Sequence, residues 1–305
     1  MGLLPTLARI LICEHIYKPI NGKVLCLGRQ TIPFTHKEAV ELISQEGYHI
    51  PSSVIAETAR FEDRNTRTGK GKGYISDVAF FKLLGITDLT TMDVSSYENA
   101  EIVHSLNDPI PKSLEGKFDF IIDGGTFDHL FDLRVAFTNV TKMLKPGGRI
   151  FQWNATSNYT GAAYISFGPD MFYDYFILNN FEDCKVWLAE EANRAGTKWI
   201  IYDFEGRSKY SHIKSRHPVM TIVLAEKGSN TTWNKVPTQS QYRDPDLWAA
   251  YKEGKLKTLN STRKPLCGHK SFSYLGSNLG GVARIITGKQ MTWPWDKGYR
   301  YVGII

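Results

Sequence analysis

The 305-residue chain has only four cysteines, Cys13, Cys26, Cys184 and Cys267. They form no CxxC pair and sit in no Cys/His cluster, which argues against a disulfide framework and against a structural zinc site. A reducing, cytoplasmic setting is expected. No run approaches the roughly 20 apolar residues needed to cross a bilayer. The apolar stretch Leu3–Ile16 is broken by Arg9 and Glu14 and reads as a packing helix rather than a signal peptide. Met1-Gly2-Leu3-Leu4-Pro5-Thr6 formally fits a myristoylation pattern, but nothing else points to a lipid anchor, so no membrane partner is expected. Internal repeats and low-complexity tracts are missing as well.

Charge is unevenly placed. The whole chain carries 37 Lys+Arg against 31 Asp+Glu, a net of +6. Residues 229–305 alone hold 12 Lys+Arg and 4 Asp+Glu, which leaves 25 against 27 for the rest. The basic character therefore belongs to a C-terminal extension, and residues 1–228 are nearly neutral. A basic protein can bind nucleic acid or another anion, but here that argument reaches only the tail. The composition, 42% hydrophobic and 22% charged, supports a packed core and excludes global disorder.

The chain reads as an N-terminal helical segment over 1–22, a domain over 23–228 and the extension over 229–305. Lys23–Gly28 is a short apolar run ending in glycine, as in a buried parallel strand. Thr35-His36-Lys37-Glu38 has the form of a capping box ahead of Ala39, Val40, Leu42 and Ile43 at helical spacing. Between them lies a polar loop, Arg29–Phe34. Residues 58–75 mix Arg60, Arg64, Arg67, Lys70 and Lys72 with Gly69, Gly71 and Gly73, and are expected to form a mobile loop that could close over a ligand.

Further strands are expected at Leu89–Asp93, Ile102–Leu106, Phe118–Asp123 and Arg149–Trp153, and later at Cys184–Ala189, Trp199–Phe204 and Val219–Ala225. Helices are expected at about 76–84 and after Asp132, the latter stopped by Lys145-Pro146-Gly147-Gly148. Strands alternating with helices indicate an α/β, Rossmann-like doubly wound sheet.

In such sheets ligands sit at the carboxyl ends of the strands. Gly28 would let a ligand approach the first loop closely. Asp93 places a carboxylate where it can accept from both hydroxyls of a ribose, and Asp123-Gly124-Gly125-Thr126 combines an acid with permissive backbone.

Together these residues resemble the class I S-adenosylmethionine-dependent methyltransferases. The stretch KFDFIIDGGTFDHLFDLRVAFTNVTKMLKPGGRI, Lys117 to Ile150, is similar to that fold's fourth strand, fourth helix and fifth strand. Met92-Asp93-Val94-Ser95 is similar to the acidic end of its second strand. The resemblance covers about residues 20–228 and implies S-adenosyl-L-methionine as cofactor. One departure is that Leu27-Gly28-Arg29-Gln30 supplies a single glycine where the family commonly has three. A second is the roughly 60-residue gap between the first and second strands, longer than one crossover helix needs.

The resemblance implies that Asp93, with Ser95, would hold the ribose and that Asn107 would lie near the adenine. Gly28, Asp123, Gly124, Gly125 and Thr126 would line the cofactor, and Arg29 or Gln30 would contact its carboxylate in place of the missing glycines. His129 is the leading general-base candidate, because imidazole titrates near neutral pH; Asp128 is the next. Asn154, Asn158, Tyr159 and Tyr164 would flank a small polar acceptor, whereas Phe172 and Phe176 read as core. The chemistry requires no metal.

Two other readings compete. Asp93 could hold the ribose of a nicotinamide cofactor, although Leu27–Phe34 lacks the G-x-G-x-x-G pyrophosphate loop. The tryptophans of the tail, Trp233, Trp248, Trp293 and Trp295, could serve a non-catalytic nucleic-acid binder on a methyltransferase-like fold. A solvated extension is the simpler account of that tail, and a contact between copies of the chain is another use for it.

Overall fold

The apolar tetrapeptide Val24–Leu27 forms strand β1 and is buried at all of its positions in the computed structural model. That model describes residues 2–192, 199–204, 215–239 and, as backbone only, 299–304. The chain divides into two compact units, Met1–Gln152 and Trp153–Ile305.

In the first unit, α1 (Pro5–Tyr17) begins with proline at its first turn, where the missing N–H is not needed. It buries Leu7, Ala8, Ile10, Leu11 and Ile12. After β1, α2 (His36–Gln45) starts at the capping box: Thr35 accepts from the Glu38 N–H and Glu38 accepts from the Thr35 N–H. A short α3 (Ser52–Thr58), which the sequence pattern did not announce, precedes α4 (Asp77–Leu83). Then come β2 (Leu89–Asp93), β3 (Ile102–Val103), β4 (Phe118–Asp123), α5 (Leu133–Met143) and β5 (Leu144–Ser157).

The strands of this unit pair in the order β3-β2-β1-β4-β5, all parallel. The chain therefore winds outward from β1 to β3, crosses back, and winds the other way through β4 and β5. The order reverses between β1 and β4, the position at which doubly wound sheets open a crevice at their carboxyl ends.

Two expectations are corrected. Lys145–Gly148 does not separate α5 from the fifth strand. β5 already begins at Leu144, paired with Phe118, and resumes with Arg149 opposite Phe120, so the four residues bulge out of a continuing strand. Lys145 then reaches Asp119, 2.7 Å away, which also accepts from the Lys23 N–H.

The second correction concerns the basic loop, whose backbone is tied to its own interior. The buried Asp63 carboxylate accepts from the N–H groups of Asn65 and Thr66 and from the Thr66 hydroxyl. A β-carbon at Gly69 would collide with that carboxylate, so only glycine fits there. The Asp63 N–H donates to Tyr74 O and the Ile75 N–H to Phe34 O, both within 2.9 Å.

The second unit is antiparallel. β6 (Asp183–Glu191) pairs with both β8 (Val219–Glu226) and β7 (Trp199–Phe204), and β7 pairs with β9 (Tyr299–Ile304). Helix α6 (Pro169–Leu178) buries Phe172 and Phe176 completely, as the sequence pattern implied. The Phe167 and Phe172 ring centroids lie 4.9 Å apart. Of the extension, residues 229–239 and the backbone of 299–304 are described; Trp248, Trp293 and Trp295 lie outside the described residues.

Candidate functional site

Three strand ends of the first unit converge where the strand order reverses. Gly28 follows β1 with φ +77, a left-handed conformation that a side chain resists. A β-carbon built there would lie 3.7 Å from both Asp93 Oδ2 and Thr126 Oγ1. The backbone of one loop, the acid ending β2 and the hydroxyl after β4 thus face one small space. Thr126 is fixed for this: its hydroxyl donates to Leu27 O at 2.8 Å, and its N–H donates to Asp123 Oδ1 at 2.7 Å. Asp123, Gly124 and Gly125 are buried beneath it. Asp93 is half-buried, with one oxygen 3.4 Å from the N–H of the exposed Ser95.

Arg29 is corrected from cofactor contact to structural clamp. Its side chain is only 7% exposed. Its guanidinium donates to Asp77 (3.2 Å), Glu101 (3.0 Å), Glu98 O (3.2 Å) and Asn99 O (3.2 Å). Burial pushes the Asp77 carboxyl up, while the Arg29 charge and hydrogen bonds draw it back toward its ionised form. Burial also acts to raise Glu101, but hydrogen bonds from Thr91 and the Arg29 charge leave it below the usual carboxylate range. The network joins the β1 loop to α4, to β2 and to the loop that carries Asp93. It has no donor to spare for a ligand.

Gln30 differs from its neighbour. It is buried, its Nε2 donates to Gly28 O at 3.1 Å, and its Oε1 meets no hydrogen-bond donor among the described residues. A buried acceptor without a partner costs about 1–3 kcal/mol, so a donor from a ligand would relieve it.

Asn107 is exposed and its Oδ1 accepts from the N–H groups of Phe131 and Asp132 at 3.0 and 2.8 Å. Its carboxamide oxygen therefore orders the turn before α5. Within that turn His129 is 56% exposed, and its Nε2 lies 3.6 Å from Asp128 Oδ1, whose side chain is 2% exposed. Asp128, the second general-base candidate, is buried behind the imidazole, so His129 is the more accessible of the two.

The sequence pattern missed Gln152. It is fully buried, stands in register with Asp123 across the β4–β5 ladder, and has no partner for either amide atom among the described residues. A lone amide inside the apolar run Ile150–Trp153 was the available signal.

Of the acceptor candidates, all in the second unit, Asn154 is fully buried. Asn158, at φ +62, donates to Ser215 O and His217 O and so braces its own loop. Tyr159 is half-buried and Tyr164 is 65% exposed. No group of His, Cys, Asp and Glu able to hold a metal occurs among the described residues. No helix there is long and apolar enough to cross a membrane.

No protein-family model and no curated protein matches the chain. Among solved structures it is similar to the CMeT domain of a citrinin polyketide synthase, at 9% identity and TM-score 0.41 over 73% of this chain and 52% of that one. It is similar to an S-adenosylmethionine-dependent methyltransferase from Archaeoglobus fulgidus, at 13% identity and TM-score 0.36 over 73% and 94%. A third is a phosphoethanolamine N-methyltransferase from Haemonchus contortus solved with S-adenosylhomocysteine, at 10% identity and TM-score 0.37 over 72% and 53%. The chain thus spans about half the length of the first and third. Likeness at this level leaves the chemistry to be argued from the residues.

Proposed function

We propose that the chain is an S-adenosyl-L-methionine-dependent methyltransferase. The observation that carries this reading is the convergence of Gly28, Asp93 and Thr126 on one space at the reversal of strand order. The residues fit such a cofactor. Gly28 leaves the space that a β-carbon would occupy, Asp93 offers a carboxylate to paired ribose hydroxyls, and the unsatisfied Gln30 Oε1 can accept from the ammonium of the methionine portion. When bound, the cofactor supplies a methyl group already activated by its sulfonium.

The protein's own part is alignment and, where the acceptor carries a proton, its removal. His129 is the base in this reading, since it meets solvent while the enclosed Asp128 side chain, 3.6 Å from its Nε2, can hold the imidazole in orientation. Asp128 is then a positioning residue. The acceptor is read as a small polar molecule. Residues 229–305 are read as an accessory extension.

A nicotinamide reading fares worse on physical grounds. Dinucleotide folds seat the pyrophosphate on the N-terminus of the helix after β1. Here that N-terminus is occupied by the Glu38 carboxylate, which already accepts from Thr35 N at 2.7 Å and would repel a pyrophosphate. Thermal melting separates the two: S-adenosylhomocysteine should raise Tm and NAD should not. Stabilisation by NAD alone would overturn the proposal.

A further inference from the structure

The loops around the candidate cofactor site also line a partly open cavity of about 390 Å³, formed by Gly2, Arg29, Thr31, Arg67, Thr68, Tyr97 and Glu98. Its walls are held firmly. The Leu3 N–H donates to Thr31 O at 2.8 Å, and the Thr31 and Thr68 hydroxyls meet at 2.6 Å. The Arg67 N–H donates to Glu98 Oε1 at 2.6 Å, and Asn99 is bonded to Asn65 at 2.9 Å. The N-terminus, the β1 loop, the basic loop and the β2 loop thus form one frame.

The lining has a specific chemical character. Arg29 is spent on its carboxylates, but the exposed Arg67 guanidinium pairs with no acid among the described residues. A planar guanidinium is suited to grip a phosphate with two parallel hydrogen bonds. Tyr97, also in the lining and 74% exposed, supplies an aromatic ring of the kind on which a base can stack. The second Glu98 oxygen and the threonine hydroxyls are hydrogen-bonding groups of the kind that ribose hydroxyls require. Arg64 and Lys70, exposed on the same Asp63-braced loop, add positive potential around the opening. The volume lies in the range of small-ligand pockets. A bare anion would leave the ring and the Glu98 carboxylate unused, and a neutral aromatic molecule would leave Arg67 unused.

We propose that this cavity binds a nucleoside monophosphate unit, with its phosphate on Arg67 and its base on Tyr97. The site goes beyond the methyltransferase reading and does not depend on it. The unit can come from a free nucleotide or from a nucleic-acid strand, and the two share this chemistry.

The test is calorimetric titration with uridine 5′-monophosphate in the presence of excess S-adenosylhomocysteine; a pyrimidine avoids mimicry of the cofactor's adenine. Saturable binding is expected, with uridine at least about tenfold weaker because it lacks the phosphate. Arg67→Ala and Tyr97→Ala, both at exposed positions, should weaken the nucleotide by about tenfold without lowering Tm. A ten-residue oligouridylate that binds more tightly, with steeper salt dependence and a loss on Lys70→Ala, would identify a strand as the source; one no tighter than the mononucleotide would identify the free nucleotide. Undetectable binding, equal binding of uridine, or unchanged binding by Arg67→Ala would overturn the site. Displacement of the nucleotide by S-adenosylhomocysteine would also overturn it, by assigning the cavity to the cofactor. Failure of S-adenosylhomocysteine to bind would affect only the methyltransferase reading.

Discussion

Gly28 and Arg29 are adjacent in the β1 loop and have opposite fates. Arg29 is enclosed and fully spent on Asp77, Glu101 and two carbonyls, while Gly28 faces the space shared with Asp93 and Thr126. Charge in a loop near a ligand site invites a functional reading, yet here the charged residue holds the scaffold and the residue without a side chain makes room. The β2 loop repeats the contrast. Glu98 and Asn99 give their carbonyls to Arg29, and Asp93 remains half-buried at the strand end.

The largest effect should come from the enclosed side of that comparison. Arg29→Ala strands the Asp77 carboxylate, whose side chain is 3% exposed, without its cation. Breaking a buried pair in this way costs about 3–5 kcal/mol, readable as a lower urea midpoint. A stability within about 0.5 kcal/mol of wild type would show that Arg29 is not the clamp.

His129→Ala, on the open side, should leave unfolding unchanged and slow transfer of a labelled methyl group by about 10²-fold or more, the usual contribution of a general base. A rate unchanged at saturating acceptor would remove the imidazole from the chemistry.

Gly28→Ala tests the vacant space itself. The φ of +77 imposes about 1–2 kcal/mol of backbone strain on alanine. The β-carbon would make only ordinary contact with protein, so a weaker cofactor affinity in excess of the stability loss would report lost space. An affinity equal to wild type would mean that nothing binds against Gly28.

The smallest effect lies at the capping box. Hydrogen bonds from Thr35, backbone first and then side chain, hold the Glu38 carboxyl below the usual carboxylate range. A depressed pKa contributes stability that is present above the unfolded value near 4.5 and is lost as pH falls through the folded value. Glu38→Gln should therefore flatten the stability profile below about pH 4.5 and cost less than about 1 kcal/mol at neutral pH. An unaltered profile in acid would show that the box does not form.

Much of this was legible in the sequence. The buried strands β1 and β4 announced themselves as apolar runs ending at Gly28 and Asp123, β2 as a short strand ending in Asp93, and the Thr35–Glu38 box and the Asp132 cap marked helix starts that the structure places there. Local pattern is enough when a signal is built from neighbouring residues. The fate of Arg29 was not legible, because its partners lie about 50 to 70 positions away in sequence. The Asp63 cage was hidden for another reason: glycines and lysines read as solvent-facing, while the one buried carboxylate that organises them looks like any other loop acid. Gln152 was overlooked because one amide in an apolar strand leaves the period unchanged, although it faces Asp123 across the ladder.

The most direct test of the site is calorimetric titration of S-adenosylhomocysteine into the wild-type protein and into Asp93→Ala. Two charge-assisted hydrogen bonds from a carboxylate to ribose hydroxyls are together worth about 3–6 kcal/mol. The account predicts saturable binding to the wild-type chain and a loss of at least about 10²-fold in the variant, with urea unfolding unchanged. Equal affinity for the two proteins, or no binding to either, would contradict it.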